Sequence, residues 1–322
     1  LAIAAVYNNL GTAYKRKAKY SIALNAYFKS LNIKQDLHNE TKIISTFNNI
    51  GLVYFHLGEF DKAARYYLRN IKICKRHQLA NKQAKNYNNL GNVRLKQQRY
   101  REALNHYRQA LNHLEPETNL FLKARILNNT GIAHRLLKNP TKAITYHQKA
   151  LTLTRQLGDT QKVISTLQKM GKAYQYTDKT DRAERYYQEA YQMAKNHGDI
   201  HYLKEIAFDL YLFYKNRKTF QKSLTYSEAY IQYKDSILNI EKNKEIERLK
   251  AEFESEQKAQ RIELLKKENQ VQELELAKER EEKARKQLQA AILVGVVGVT
   301  LGFVVFLVSQ IRKKKRIHQV LQ

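Results

Sequence analysis

Apolar and polar positions along the first two thirds of the chain recur with the period of an α-helix. Tyr7, Leu10, Gly11 and Tyr14 stand three or four residues apart and so share one helix face. After a short polar break a second stripe begins at Ala23, with Tyr27 one turn later. The same pair of stripes then returns at a fixed interval. Asn8-Asn9-Leu10-Gly11 recurs as Asn48-Asn49-Ile50-Gly51, Asn88-Asn89-Leu90-Gly91 and Asn128-Asn129-Thr130-Gly131. It degrades to Gln168-Lys169-Met170-Gly171 and Phe208-Asp209-Leu210-Tyr211, always forty residues on. Ala23, Ala63, Ala103, Ala143 and Ala183 keep the same spacing, each followed four residues later by a ring: Tyr27, Tyr67, Tyr107, His147 and Tyr187. A constant period of this kind marks a repeat architecture. Each unit predicts two helices, whose small residues let the axes approach while the rings fill the wedge between neighbouring pairs. Asn139-Pro140 predicts an N-cap followed by a first-turn proline, and Pro116 falls between the third and fourth units.

Tyr7-x2-Leu10-Gly11-x2-Tyr14 followed by Ala23-x3-Tyr27 resembles the tetratricopeptide repeat, with Tyr where the family has Trp. The usual period is about 34, so a period of forty implies longer helices. The resemblance covers residues 1–231, in units near 1–40, 41–80, 81–120, 121–160, 161–200 and 201–231. The sixth has lost its Gly and Ala to Tyr211 and Ser223, as a terminal capping unit does. What the resemblance implies is an all-α fold, a right-handed solenoid of about six helix pairs, and a protein or peptide as partner.

Residues 232–289 contain no Pro or Gly and are dense in Glu, Lys and Arg, which predicts one long helix of roughly 90 Å. Ile246, Leu249 and Phe253 start a heptad seam; Ile262 and Leu265, then Val271 and Leu274, resume it out of phase. A solvated single helix and a homodimeric coiled coil both remain open. Residues 290–309 carry no charge, and their number matches a hydrocarbon core of about 30 Å, so they predict a single transmembrane span. Gly298-x3-Gly302 offers a dimer seam within it. The tail, 310–322, opens on the basic run Arg312 to Arg316, which favours a cytoplasmic tail and repeats on the other side. Lys278, Arg280, Lys283, Arg285 and Lys286 weigh the other way. The chain opens at Leu1 with no charged-then-apolar leader, which reads as an end left by processing or cutting.

Composition narrows the function. Of 322 residues only eleven are Gly and two Pro, which argues against a sandwich or barrel. A single cysteine, Cys74, rules out an internal disulfide framework and a multi-cysteine zinc site. The net charge of +28 divides into +23 over residues 1–231, zero over 232–290 and +5 over 291–322, so the repeats attract anions. No catalytic constellation, metal site or cofactor motif is visible: the ten histidines are scattered, and no Gly-rich loop precedes Lys-Ser or Lys-Thr. Lys72, Lys75 and Arg76 could lower the pKa of Cys74, although an ordinary apolar helix position is the simpler reading. Asn128-Asn129-Thr130 and Asn39-Glu40-Thr41 match the glycosylation acceptor, but inside helical patterns they read as accidents.

The asparagines are more informative. Asn is a mediocre helix former, yet Asn8, Asn9, Asn48, Asn49, Asn88, Asn89, Asn128 and Asn129 occupy equivalent helical places. In tetratricopeptide proteins the first helices line the concave groove, and asparagines just before Leu-Gly grip a bound backbone. The resemblance assigns that role to Asn9, Asn49, Asn89 and Asn129. By spacing, Lys85, Arg125 and Arg135 belong near the same surface and favour an acidic, extended ligand. Alternatively the amides bond neighbouring helices within the solenoid. The order of repeats, charged helix, span and basic stop is similar to bacterial membrane sensor proteins in which a kinase or helix-turn-helix output follows. A non-enzymatic, membrane-anchored binding module in signal transduction is therefore the leading expectation. A tail-anchored cytosolic scaffold is the alternative, and a nucleic-acid-binding solenoid a remote one.

Overall fold

The structure is a computed structural model; it describes residues 1–37, 40–115 and 119–320, with side chains as far as Lys313. Asn39 and Pro116 lie outside the described residues. Twelve helices and no strand are found among those described. They are α1 (Ala2–Arg16), α2 (Tyr20–Asp36), α3 (Glu40–His56), α4 (Phe60–Arg76), α5 (Ala80–Lys96) and α6 (Tyr100–Asn112). There follow α7 (Leu120–Leu136), α8 (Pro140–Gln156), α9 (Thr160–Tyr174), α10 (Thr180–His197), α11 (Ile200–Asn216) and α12 (Phe220–Val320). The protein is all-α, and its repeats form a solenoid of helix pairs. Two compact units divide the chain, Leu1–Asn239 and Ile240–Gln322.

Turn chemistry sets the metric of the first unit. Ala18, Gly58, Gln78, Gln98, Lys138, Gly158, Gly198 and Lys218 all adopt left-handed backbone conformations, at multiples of twenty residues from one another. The next residue closes an i→i−5 bond, as in Lys19 N–H to Tyr14 O (3.0 Å) and Arg99 N–H to Arg94 O (2.9 Å). This satisfies carbonyls that a helix end leaves without partners. A helix of about seventeen residues plus such a turn makes twenty, and two make the repeat. Asn139 caps α8 by accepting from Lys142 N–H (3.2 Å), with Pro140 in the first turn.

Within a pair the contact is a ring on a glycine. Ala23, Ala63, Ala103, Ala143 and Ala183 are fully buried, and the ring one turn later lies against the glycine of the first helix. A methyl added at Gly11 or Gly171 would fall 2.7 Å from the ring of Tyr27 or Tyr187, and at Gly51 2.8 Å from Tyr67. Real carbon contacts are never that short, so only glycine fits. The phenol oxygens then find polar groups: Tyr107 Oη donates to Asn92 Oδ1 (2.8 Å) and Tyr187 Oη to Gln175 Oε1 (2.8 Å). In the fourth unit the ring is His147. Its Nδ1 donates to Asn128 Oδ1 (2.9 Å), since the Asn128 amide nitrogen is committed to Thr166 Oγ1 (2.8 Å). Burial, then repulsion from Lys169 and Arg135, holds the imidazole neutral with a pKa of about 3.

The two ends of this unit depart from the pattern. Leu10 is 42% exposed, whereas its equivalent Ile50 is fully buried, because the outer side of α1 has no helix against it. At the other end Tyr211 and Ser223 replace the small residues, and Ser227 stands where a ring is due. The start of α12 is held instead by Tyr233 Oη to Tyr191 Oη (3.0 Å), Gln188 Nε2 to Tyr226 Oη (2.8 Å) and the rings of Tyr230 and Phe208. Cys74 follows the simpler reading: it is a buried helix residue, and burial pushes its thiol up to about 11, outweighing the nearby lysine charge.

In the second unit α12 continues without interruption at residues 289 and 290. Its charged part is laced by pairs one turn apart, among them Lys267–Glu263 (3.1 Å) and Lys283–Glu279 (2.8 Å). Residues 290–309 are exposed throughout, and α12 is the one helix among the described residues long and apolar enough to cross a membrane.

Because the Gly91 contact has no room, Gly91→Leu must displace the Tyr107 ring. The expected cost is about 1–3 kcal/mol of folding stability, read by thermal or urea denaturation. An unchanged midpoint would place the packing contact elsewhere.

Candidate ligand-binding face of the first helices

The odd-numbered helices make the inner surface. Consecutive first helices touch one another at α1·α3, α5·α7, α7·α9 and α9·α11, a closeness that places them on the tighter side of the curve. Two recesses open there. The larger, of about 640 Å³, is lined by residues of α1, α3 and α5 including Asn8, Asn9, Asn48, Asn49 and Lys85, with Lys34 at its edge. The smaller, of about 180 Å³, is lined by Arg125, Asn128 and Asn129 of α7, Lys162, Ser165 and Lys169 of α9, and Tyr202 of α11.

The paired asparagines form a ladder across the units. The second amide of each pair donates to the first amide of the unit before it. Asn49 Nδ2 reaches Asn8 Oδ1 at 3.3 Å, Asn89 reaches Asn48 at 3.0 Å, and Asn129 reaches Asn88 at 3.0 Å. Asn129 Nδ2 also contacts Asn92 Oδ1 at 3.0 Å. Gln168 continues the step by donating to Asp209 Oδ2 at 2.6 Å. Asn88 and Asn128 are buried, Asn8, Asn48, Asn49, Asn89 and Asn129 are half-buried, and Asn9 is exposed. The amides thus have partners inside the solenoid. Asn49 and Asn89 each spend one amide N–H on this ladder and keep the second, whereas both N–H groups of Asn129 are taken.

The basic residues divide differently. Lys85 and Arg125 lie on adjacent first helices and make no ion pair among the described residues. Dehydration by the surrounding walls, then the charge of Arg125, holds Lys85 below the usual lysine pKa; dehydration alone lowers Arg125. Arg135 is not part of either recess, and its charge instead acts on His147 and Tyr187. Lys169 is the residue that pattern reading undervalued. It stands forty residues after Asn129, where the amide ladder lapses, and burial brings its pKa down to about 8, with repulsion from Lys172 next. Its Nζ donates to the Ser165 carbonyl (3.0 Å) and to the Ser165 hydroxyl. No three His, Cys, Asp or Glu side chains among the described residues are grouped to hold a metal ion.

The tetratricopeptide repeat family model matches residues 42–115 and 122–196. No curated protein matches the chain. Among solved structures the chain is similar to BtubC from P. vanneervenii (TM-score 0.59, 20% identity, 66% of this chain and 90% of that one). It is also similar to a Rap protein complexed with competence and sporulation factor (TM-score 0.58, 13% identity, 74% and 76%). A third is aspartyl phosphate phosphatase F from Bacillus subtilis (TM-score 0.59, 17% identity, 71% and 69%). At these identities the likeness concerns the fold alone. With the glycine–ring contact, the forty-residue metric and the family match in agreement, the chain carries tetratricopeptide repeats.

Proposed function

We propose that the protein is a membrane-anchored, non-enzymatic binding module whose inner face takes an extended, acidic segment of a partner polypeptide. The observation that carries this reading is the set of uncompensated cations on the first helices. Lys85 and Arg125, both exposed, and half-buried Lys169 stand on successive units with no ion pair among the described residues, and the Lys85 and Arg125 charges repel. An acidic segment laid along these helices relieves that repulsion, and the spare amide capacity of Asn49 and Asn89 suits its backbone. A structural neighbour was solved complexed with competence and sporulation factor, which supports binding as a use of this fold. For the anchor, the support is the exposure of large apolar side chains such as Val294 (72%) and Val299 (74%) over twenty uncharged residues. Water is a poor environment for that surface and lipid a good one. The stalk and span then join the repeats to an output in signal transduction, with the basic tail in the cytoplasm.

An oligo-glutamate peptide is a suitable probe. Replacing Lys85 and Arg125 together by Gln is expected to weaken its binding about tenfold and to flatten its salt dependence, measured by fluorescence anisotropy. Equal affinity and an equal salt slope in the double variant would remove the inner face as the binding surface. The anchor has its own test, because the +23 repeats can also adhere to anionic lipid. The intact chain should stay with membranes through a high-salt wash, and the chain lacking 290–309 should be released. Release of the intact chain by salt would overturn the span.

A further inference from the structure

The recess between α7, α9 and α11 differs from the rest of the inner face in its density of positive charge. Arg125, Lys162 and Lys169 share a space of about 180 Å³ with the hydroxyls of Ser165 and Tyr202. Their counter-charges are weak or spent elsewhere. The one carboxylate paired with Lys162 is Asp159 at 3.9 Å, and Asp159 is already accepting the Lys162 backbone N–H (3.0 Å) as the cap of α9. Glu205 attracts Lys169 without forming an ion pair, and Asp209 is engaged by Lys172 at 2.9 Å. Arg125 has no carboxylate partner among the described residues. In the earlier units the residue at the Lys169 position hands its N–H to the preceding unit, as Asn129 does to Asn88. Lys169 turns to Ser165 on its own helix and leaves its remaining ammonium protons to the recess.

Charge and donor number select the ligand. A carboxylate brings one negative charge and about four acceptor positions on two oxygens. Three cations and two hydroxyls exceed both. A phosphoryl group carries about −1.5 to −2 and presents three strong acceptor oxygens, which fits a guanidinium, two ammonium groups and flanking hydroxyls. We propose that this recess binds a phosphoryl group, presented either by the polypeptide lying on the inner face or as the free ion. The first source rests on the function proposed above; the second does not.

The test uses the full chain in detergent micelles with three probes: inorganic phosphate, a neutral peptide carrying one phosphoserine, and the same peptide with unmodified serine. Binding is followed by calorimetry, and oligo-glutamate serves as the control for the inner face. The phosphoserine peptide is expected to bind at least about tenfold tighter than its serine counterpart. Lys162→Gln and Lys169→Gln should each remove most of that preference. Lys162 is exposed, so its variant tests the recess without disturbing packing, and a melting curve checks both variants. Binding of inorganic phosphate with no preference between the two peptides, lost in the same variants, supports the recess with the free ion as its ligand. Absence of both phosphate binding and phosphoserine preference overturns the proposal, as does a preference unchanged in the two variants. Oligo-glutamate that binds while phosphate has no effect overturns the recess alone. Phosphate that binds while oligo-glutamate does not supports the recess and counts against the inner-face reading.

Discussion

The contact between a ring and a bare glycine backbone sets the spacing of everything else in the repeats. Tyr27, Tyr67, Tyr107, His147 and Tyr187 each occupy the volume that a side chain at the paired glycine would need. The two helices of a unit therefore approach more closely than ordinary side chains permit, and the fully buried alanine four residues before each ring allows the same on the second helix. Five repetitions of one close contact, joined by turns of constant length, give units of nearly identical geometry. Side chains forty residues apart then fall in line without any further device.

That regularity is what gives the inner face its chemistry. Asparagines at two adjacent register positions come close enough to bond from unit to unit, and they form a ladder along the first helices. Buried amides without partners are costly, so the ladder is a condition of folding as well as a feature of the surface. The same alignment brings cations together. Lys85 and Arg125 repel across neighbouring helices, and Lys169 takes the place of an asparagine in the unit after the one whose ring is a histidine. His147 stays neutral, so it adds no positive charge to that already carried by Lys169 and Arg135.

The repeat register was legible from the sequence because glycine, alanine and ring obey a strict interval, and such an interval has few other causes. Pro140 as a first-turn residue followed from local backbone rules alone. Three things were not legible. The use of the asparagines stayed open because an amide in a groove and an amide in a ladder have the same spacing; only in the folded chain is Asn89 seen to reach Asn48. Arg135 shares the helix of Arg125 but is carried round it, so proximity along the chain did not place both in one recess. Lys169 looked like decay of a motif, although its position in line with Asn129 was a signal in itself.

The central claim is that the inner face of the first helices is where a ligand lies. Hydrogen–deuterium exchange of the full chain with and without saturating oligo-glutamate tests it most directly. Slowed exchange is predicted in α5, α7 and α9, with the second helices α4, α6 and α8 unchanged. Protection confined to those second helices, or to the charged part of α12, would contradict the account.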